Sequence, residues 1–198
     1  IGFCAMAVFV IIAALKFSKD VKTFEKVVCP GVLRVLGDCK DKLALNKSME
    51  LHCGKSFNSP FIFGILRPGV YIPKPILSRV NERELSHILL HELSHYKRRD
   101  LLCNLFSTVA TMLHWFNPLV WFAMKMMRTD IECACDAHVL ENLKDDESTP
   151  YGMTIIKLST LISVPHRNRT LCVYFHEGKG QIERRINMIN MFRKGSYK

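Results

Sequence analysis

The chain has 198 residues, a formal net charge of +10, 48% hydrophobic and 23% charged residues, eight cysteines and a mean hydropathy of +0.08. That apolar content excludes a disordered chain, and the length suffices for one sizeable core or for a core with membrane segments. The apolar residues are bunched, which argues against a wholly water-soluble domain: residues 1 to 15 carry no charge, and residues 101 to 127 carry only Lys125. Both runs are of membrane-segment length.

Residues 1 to 17 read as part of a transmembrane helix, because the chain opens on Ile1 inside the apolar run. Lys16, Lys19 and Lys22 follow it and fit a cytoplasmic exit, so residues 18 to 198 are expected to face the cytoplasm. The basic balance then suits contact with anionic membrane lipid. No helix-turn-helix, finger or aromatic-interleaved basic motif supports direct nucleic-acid binding. The cysteines are scattered without a CxxC pair and are expected to be reduced thiols. Cys133 and Cys135, two apart in a helical pattern, point to different faces and are not expected to share a zinc.

Residues 32 to 36 suggest a short helix, and residues 43 to 51 fit either a helix or a strand. Residues 61 to 66 and 70 to 72 are rich in β-branched and aromatic side chains and are bounded by prolines, which predicts two short strands at a sheet rim. Asn81 and Glu84 form a capping-box signature for a helix running through Arg99, with Leu85, Ile88, Leu89 and Leu93 as its apolar stripe. The apolar segment 101 to 127 is broken at Asn117-Pro118 into halves too short to span, giving a hairpin or a kinked helix. Cations at both ends (Lys97, Arg98 and Arg99 before, Arg128 after) favour a re-entrant or interfacial hairpin. Trp115 and Trp121 suit an interfacial belt or core packing. Residues 128 to 143 and 151 to 164 read as helices, 145 to 150 as a polar turn and 165 to 170 as a basic loop. The tail 181 to 193 is amphipathic, with Ile182, Ile186, Ile189 and Phe192 at helical spacing; it is read either as lying along the site or as a membrane-surface helix.

Within the capped helix stands His91-Glu92-Leu93-Ser94-His95, an HExxH motif. Residues four apart share a helix face, so two imidazoles converge on one Zn2+, and Glu92 is placed to take a proton from the water that attacks a peptide. Glu132, thirty-seven residues after His95, can complete a His2Glu ligand set. Asp136 shares its face and can hold the free ring nitrogen of a ligating histidine, with Asp100 the rival for that role. His87 is assigned a surface or capping role, since three histidines stacked along one helix cannot all reach one ion. His138, Tyr96, Tyr151 and Tyr174 are candidates to stabilise an oxyanion. The strand at 61 to 66 can pair with an extended substrate. A non-catalytic, zinc-stabilised membrane signal transducer is the competing class, and Glu92 separates the two, because a structural site needs no base.

The chain resembles the zinc metalloprotease region of the BlaR/MecR-type membrane peptidases, which sense β-lactams. The resemblance rests on residues 59 to 64, 91 to 100, 114 to 121 and 128 to 140, with a further similarity at 182 to 189. It implies an α+β, gluzincin-like fold with a small sheet, an HExxH helix and membrane-embedded helical segments. It also implies ligands His91, His95 and Glu132, with Glu92 as base. The implied substrates are a cytoplasmic transcriptional repressor and the chain's own tail; with that tail lying along the site and held extended by the strand at 61 to 66, the Arg184-Arg185 pair is the place expected for self-cleavage. The family's penicillin-binding sensor domain has no counterpart in these residues.

Overall fold

A computed structural model describes residues 2–162 and 179–195; Tyr174, Cys172 and the basic loop at 165 to 170 lie outside the described residues. Helix α1, Gly2–Val21, buries none of its side chains and is the one described helix long and apolar enough to cross a membrane. Its twenty residues rise about 30 Å, the thickness of a bilayer's hydrocarbon core. At its C-terminal end Phe17 meets Phe57 and Phe61, each at 5.9 Å between ring centroids, which ties the helix to the sheet.

The sheet holds four strands: β1 Glu25–Lys26, β2 Glu50–Gly54, β3 Phe61–Phe63 and β4 Gly69–Pro73, in the order β1-β2-β4-β3. β2 and β4 run parallel, and the outer pairings are antiparallel. The expectation of two rim strands holds for β3 alone. β4 is central and buried at every residue, since its apolar side chains meet protein on both faces. β3 stops at Phe63 because Gly64 adopts a φ of 80°, and a Cβ there would lie 2.4 Å from the carbonyl oxygen of Arg67. The undecided stretch at 43 to 51 leads into a strand, and the short helix expected near Val32 is α2, Pro30–Lys42.

A single turn, α3 Lys74–Leu77, leads from the sheet to α4, Glu82–Lys97, which begins as its sequence dictates. The Glu84 amide donates to Asn81 Oδ1 and the Asn81 amide to Glu84 Oε2, both at 2.9 Å. Leu89, Leu90 and Leu93 are wholly buried between the sheet and the other helices. Leu89→Ala is therefore expected to cost about 2–5 kcal/mol, read as a lowered denaturation midpoint with unchanged slope.

α4 ends at Lys97 rather than Arg99, because Arg99 takes a left-handed conformation, φ 62°, and turns the chain into α5, Asp100–Leu113. The apolar segment is a hairpin, not a kinked helix. Asn117 accepts from the Leu119 amide at 3.0 Å and starts α6, Pro118–Asn142, one continuous helix that carries both the apolar half and the residues beyond Arg128. At the open end Arg98 Nη1 donates to the Ala134 carbonyl at 3.1 Å. The fourteen residues of α5 rise only about 21 Å, short of a full span. Phe106, Phe116, Leu119 and Phe122 are exposed, and Trp115 and Trp121 lie outside the core. Gly2 of α1 lies against Trp115, where a Cβ would come 2.3 Å from the indole, so the hairpin tip sits beside the start of α1.

Helices α7, Ser148–Ile162, and α8, Lys179–Met191, close the fold. The amphipathic tail is not a membrane-surface helix: Ile189 is buried over Gly152 of α7, and Ile186 packs on the same core. The whole is an α+β chain, mostly helical, with one small mixed sheet.

Candidate metal centre

The third and fourth turns of α4 put His91 and His95 on one face, and the C-terminal half of α6 crosses that face with Glu132. His91 Nε2 stands 3.2 Å from His95 Nε2 and 3.3 Å from Glu132 Oε2, while His95 Nε2 is 3.6 Å from Glu132 Oε1. Ligand atoms around a tetrahedral ion with bonds near 2 Å are about 3.3 Å apart, so the three groups already stand at ligand spacing.

The protons on the imidazoles point the same way. His95 Nδ1 lies 2.8 Å from Asp100 Oδ2, and His91 Nδ1 lies 3.2 Å from Asp136 Oδ1. An ionised carboxylate only accepts, so each ring carries its proton on Nδ1 and turns the lone pair of Nε2 inward. Without a metal the two Nε2 atoms, 3.2 Å apart, share a proton. Burial opposes the charge, but Cys135 and the surrounding acids outweigh it and raise both imidazoles well above their usual range; a metal ion would take that proton's place. Asp136 and Asp100, read from the sequence as rivals, thus serve one histidine each. The left-handed turn at Arg99 is what brings Asp100 back to His95.

Burial opposes ionising Glu132, but His95, His91 and Arg185 outweigh it and hold the carboxyl well below its usual range. The Asp136 carboxyl is likewise held at about 2: burial raises it, and the Arg185 guanidinium overcomes that. Both are anions ready to balance a metal's charge. Glu92 differs. It is 7% exposed and burial pushes its carboxyl up, while His91 and His95 pull it down. Among the described residues no hydrogen bond or ion pair holds it, so a carboxylate with free oxygens stands beside the ligands.

Cys135 is the residue that sequence reasoning missed. Its thiol is buried, donates to the His91 carbonyl at 3.3 Å, and forms with His91 and His95 a group whose ligand atoms lie within 4.8 Å of one another. Burial raises the Cys135 thiol but His91 and His95 outweigh it and lower its pKa; Glu132, at 3.3 and 3.6 Å from the two imidazoles and with Arg185 beside it as well, is the stronger third ligand. Cys133 stands apart from that group, as expected from its different helix face.

Other expectations need correction. His87 is not a surface residue: it is 2% exposed, with Nδ1 on Thr154 Oγ1 at 2.9 Å and Nε2 on Glu147 Oε2 at 3.0 Å, a buried link between α4 and α7. Tyr151 donates to Asp136 Oδ1 at 2.6 Å and lies behind His91, on the Nδ1 side, so it does not face a substrate carbonyl. His138 turns to Ser94 Oγ at 3.1 Å, and Tyr96 packs against the core. Arg184 pairs with Asp130 at 2.8 Å. Arg185 is buried on Asp136. Held in the middle of a helix, that pair is not an extended segment that a protease takes as it stands.

A family model described as BlaR1 peptidase M56 matches residues 1–189. The regulatory protein BlaR1 of Bacillus licheniformis is 32% identical over 198 residues, 99% of this chain and 32% of that protein. The methicillin resistance mecR1 protein of Staphylococcus aureus is 32% identical over 155 residues, 78% of this chain and 26% of the relative. The regulatory protein BlaR1 of Staphylococcus aureus is 26% identical over 145 residues, 73% and 24% respectively. The chain thus spans about a third or less of the length of these curated relatives. With a match along nearly its whole length and with the HExxH pair, its carboxylates and the α4–α6 crossing inside that match, the chain belongs to the BlaR1 peptidase M56 family.

Proposed function

We propose that the chain is a membrane-embedded zinc endopeptidase whose site faces the cytoplasm. The single observation that carries this reading is the convergence of His91 Nε2, His95 Nε2 and the Glu132 carboxylate at 3.2, 3.3 and 3.6 Å. The donor set, one carboxylate and two imidazoles that become neutral once a metal displaces their shared proton, suits Zn2+ with one position left open. A zinc ion there supplies a Lewis acid for the scissile carbonyl and lowers the pKa of water. Glu92 takes the proton of the attacking water and returns it to the leaving amine, work that suits a carboxylate with free oxygens and a raised pKa. β3, paired on one side only and packed against α4, offers its other edge to an extended peptide.

The relatives' names, a regulatory protein and a methicillin resistance protein, support a role in signalling an antibiotic response. In that role the peptidase cleaves its own tail and brings about inactivation of a cytoplasmic transcriptional repressor when a β-lactam is sensed. Scission at Arg184-Arg185 requires α8 to unwind from its seat, which ties self-cleavage to a signal that moves the tail. α1 spans the membrane and the α5–α6 hairpin enters it from the same side as the site. Cysteines placed at Lys97 and Arg128, in a chain cleared of its own thiols, should both label from the cytoplasmic side of oriented vesicles. Labelling from opposite sides overturns the hairpin.

One observation favours a second reading, a non-catalytic zinc-stabilised transducer: Cys135, near both histidines, would close the fourth position. Zinc content and cleavage of a peptide substrate by the chain and its Glu92→Gln variant test the two readings against each other.

A further inference from the structure

We propose that Arg185, carried on α8, is a positioning residue of the metal centre, clamping Asp136 and Glu132 so that His91 and Glu132 present their ligand atoms together. The inference rests on the zinc reading above.

Arg185 is 5% exposed, and its guanidinium grips Asp136 with both arms: Nε to Oδ2 at 2.7 Å and Nη2 to Oδ1 at 2.8 Å. Its third nitrogen, Nη1, reaches Glu132 Oε2 at 3.3 Å. One planar cation thus touches a candidate ligand directly and, through Asp136, the ring of another. Asp136 is wholly buried, and its Oδ1 also receives the Tyr151 hydroxyl and faces His91 Nδ1. Glu132 and Asp136 sit four apart on one helix, where two like charges repel unless a cation lies between them. The planar fork of arginine matches both carboxylates, which a lysine ammonium does not.

The other histidine has the same construction. His95 is backed by Asp100, and Asp100 Oδ2 is met by Arg98 Nε at 3.2 Å. Each imidazole therefore stands on a carboxylate and each carboxylate on a guanidinium. The difference is where the guanidinium comes from. Arg98 belongs to the α4–α5 turn, built into the site's own scaffold. Arg185 arrives from a helix forty-nine residues beyond Asp136. Gln181 on Thr129 at 2.9 Å and Arg184 on Asp130 at 2.8 Å seat that helix along α6. The metal centre thus takes one of its supporting groups from the C-terminal helix.

The test is zinc affinity of the full chain in detergent, by competition with a chromogenic chelator, together with the visible absorption of the Co2+-substituted protein. Arg185→Met should weaken zinc binding about 10- to 100-fold, the range for groups that orient ligands, and should shift the Co2+ bands. Arg185→Lys, which keeps the charge and the fold but not the fork, should weaken binding less and shift the bands in the same sense. It carries the test alone should the methionine variant not fold. Ile189→Ala loosens the seat of α8 with Arg185 intact, and its folded form should bind zinc closer to wild type than Arg185→Met does. Equal losses in Arg185→Met and Ile189→Ala, or wild-type affinity and spectra in Arg185→Lys, overturn the positioning role while leaving the zinc centre standing. A wild-type chain without stoichiometric zinc overturns both.

Discussion

Glu92→Gln is expected to keep zinc and fold and to lose about 10²- to 10⁴-fold in peptide cleavage, the range that a positioned general base contributes. The substitution conserves shape, and the carboxylate it replaces holds nothing else in place among the described residues, so structural loss is not the expected route to inactivity. What disappears is the proton acceptor beside the ligands, the group whose surroundings are His91, His95, Glu132 and Arg185. The check is kcat/KM on a peptide reporter alongside zinc content for both proteins. Turnover comparable to wild type, with zinc retained, removes Glu92 from the role of base, and zinc retained with no cleavage by either protein supports the transducer reading instead.

Removing a ligand should act on the metal first. His91→Ala, His95→Ala and Glu132→Ala are each expected to lower zinc affinity by more than about 100-fold, beyond the range for groups that only orient ligands. Cys135→Ser, His87→Ala and His138→Ala should leave it near wild type. The contrast between Glu132 and Cys135 is decisive, because both approach the same two imidazoles. Burial opposes both anions and the two histidines favour both, but the carboxylate also has Arg185 beside it, whereas the thiol donates to a backbone carbonyl. Metal analysis after dialysis against a weak chelator reads the difference. Zinc retained by Glu132→Ala and lost from Cys135→Ser would exchange their roles.

The HExxH pair, the capping box and the hairpin were legible in the sequence because each depends on spacing within one element. His91 and His95 share a face at any α-helical geometry, and Asn81 and Glu84 reach each other at any helix start. What spacing along one element does not encode is how elements cross. Cys135 was set aside by comparison with Cys133, its neighbour on α6, yet its environment is set by where α6 crosses α4. His87 looked like surface until α7 covered it. The five buried residues of β4 do not reveal from their own pattern that β2 lies beside them. The end of α4 was displaced by a left-handed arginine, a conformation that no residue preference announces. Arg184-Arg185 was singled out as a dibasic pair, but the use of Arg185 depends on two acids of another helix.

X-ray absorption at the zinc edge tests the His91, His95, Glu132 centre most directly. The wild-type chain, purified with one zinc, should show a shell of nitrogen and oxygen neighbours near about 2.0–2.2 Å, with the outer scattering of two imidazoles and no sulfur. A sulfur neighbour at about 2.3 Å would bring Cys135 into the coordination shell, close the position that catalysis needs, and contradict the account.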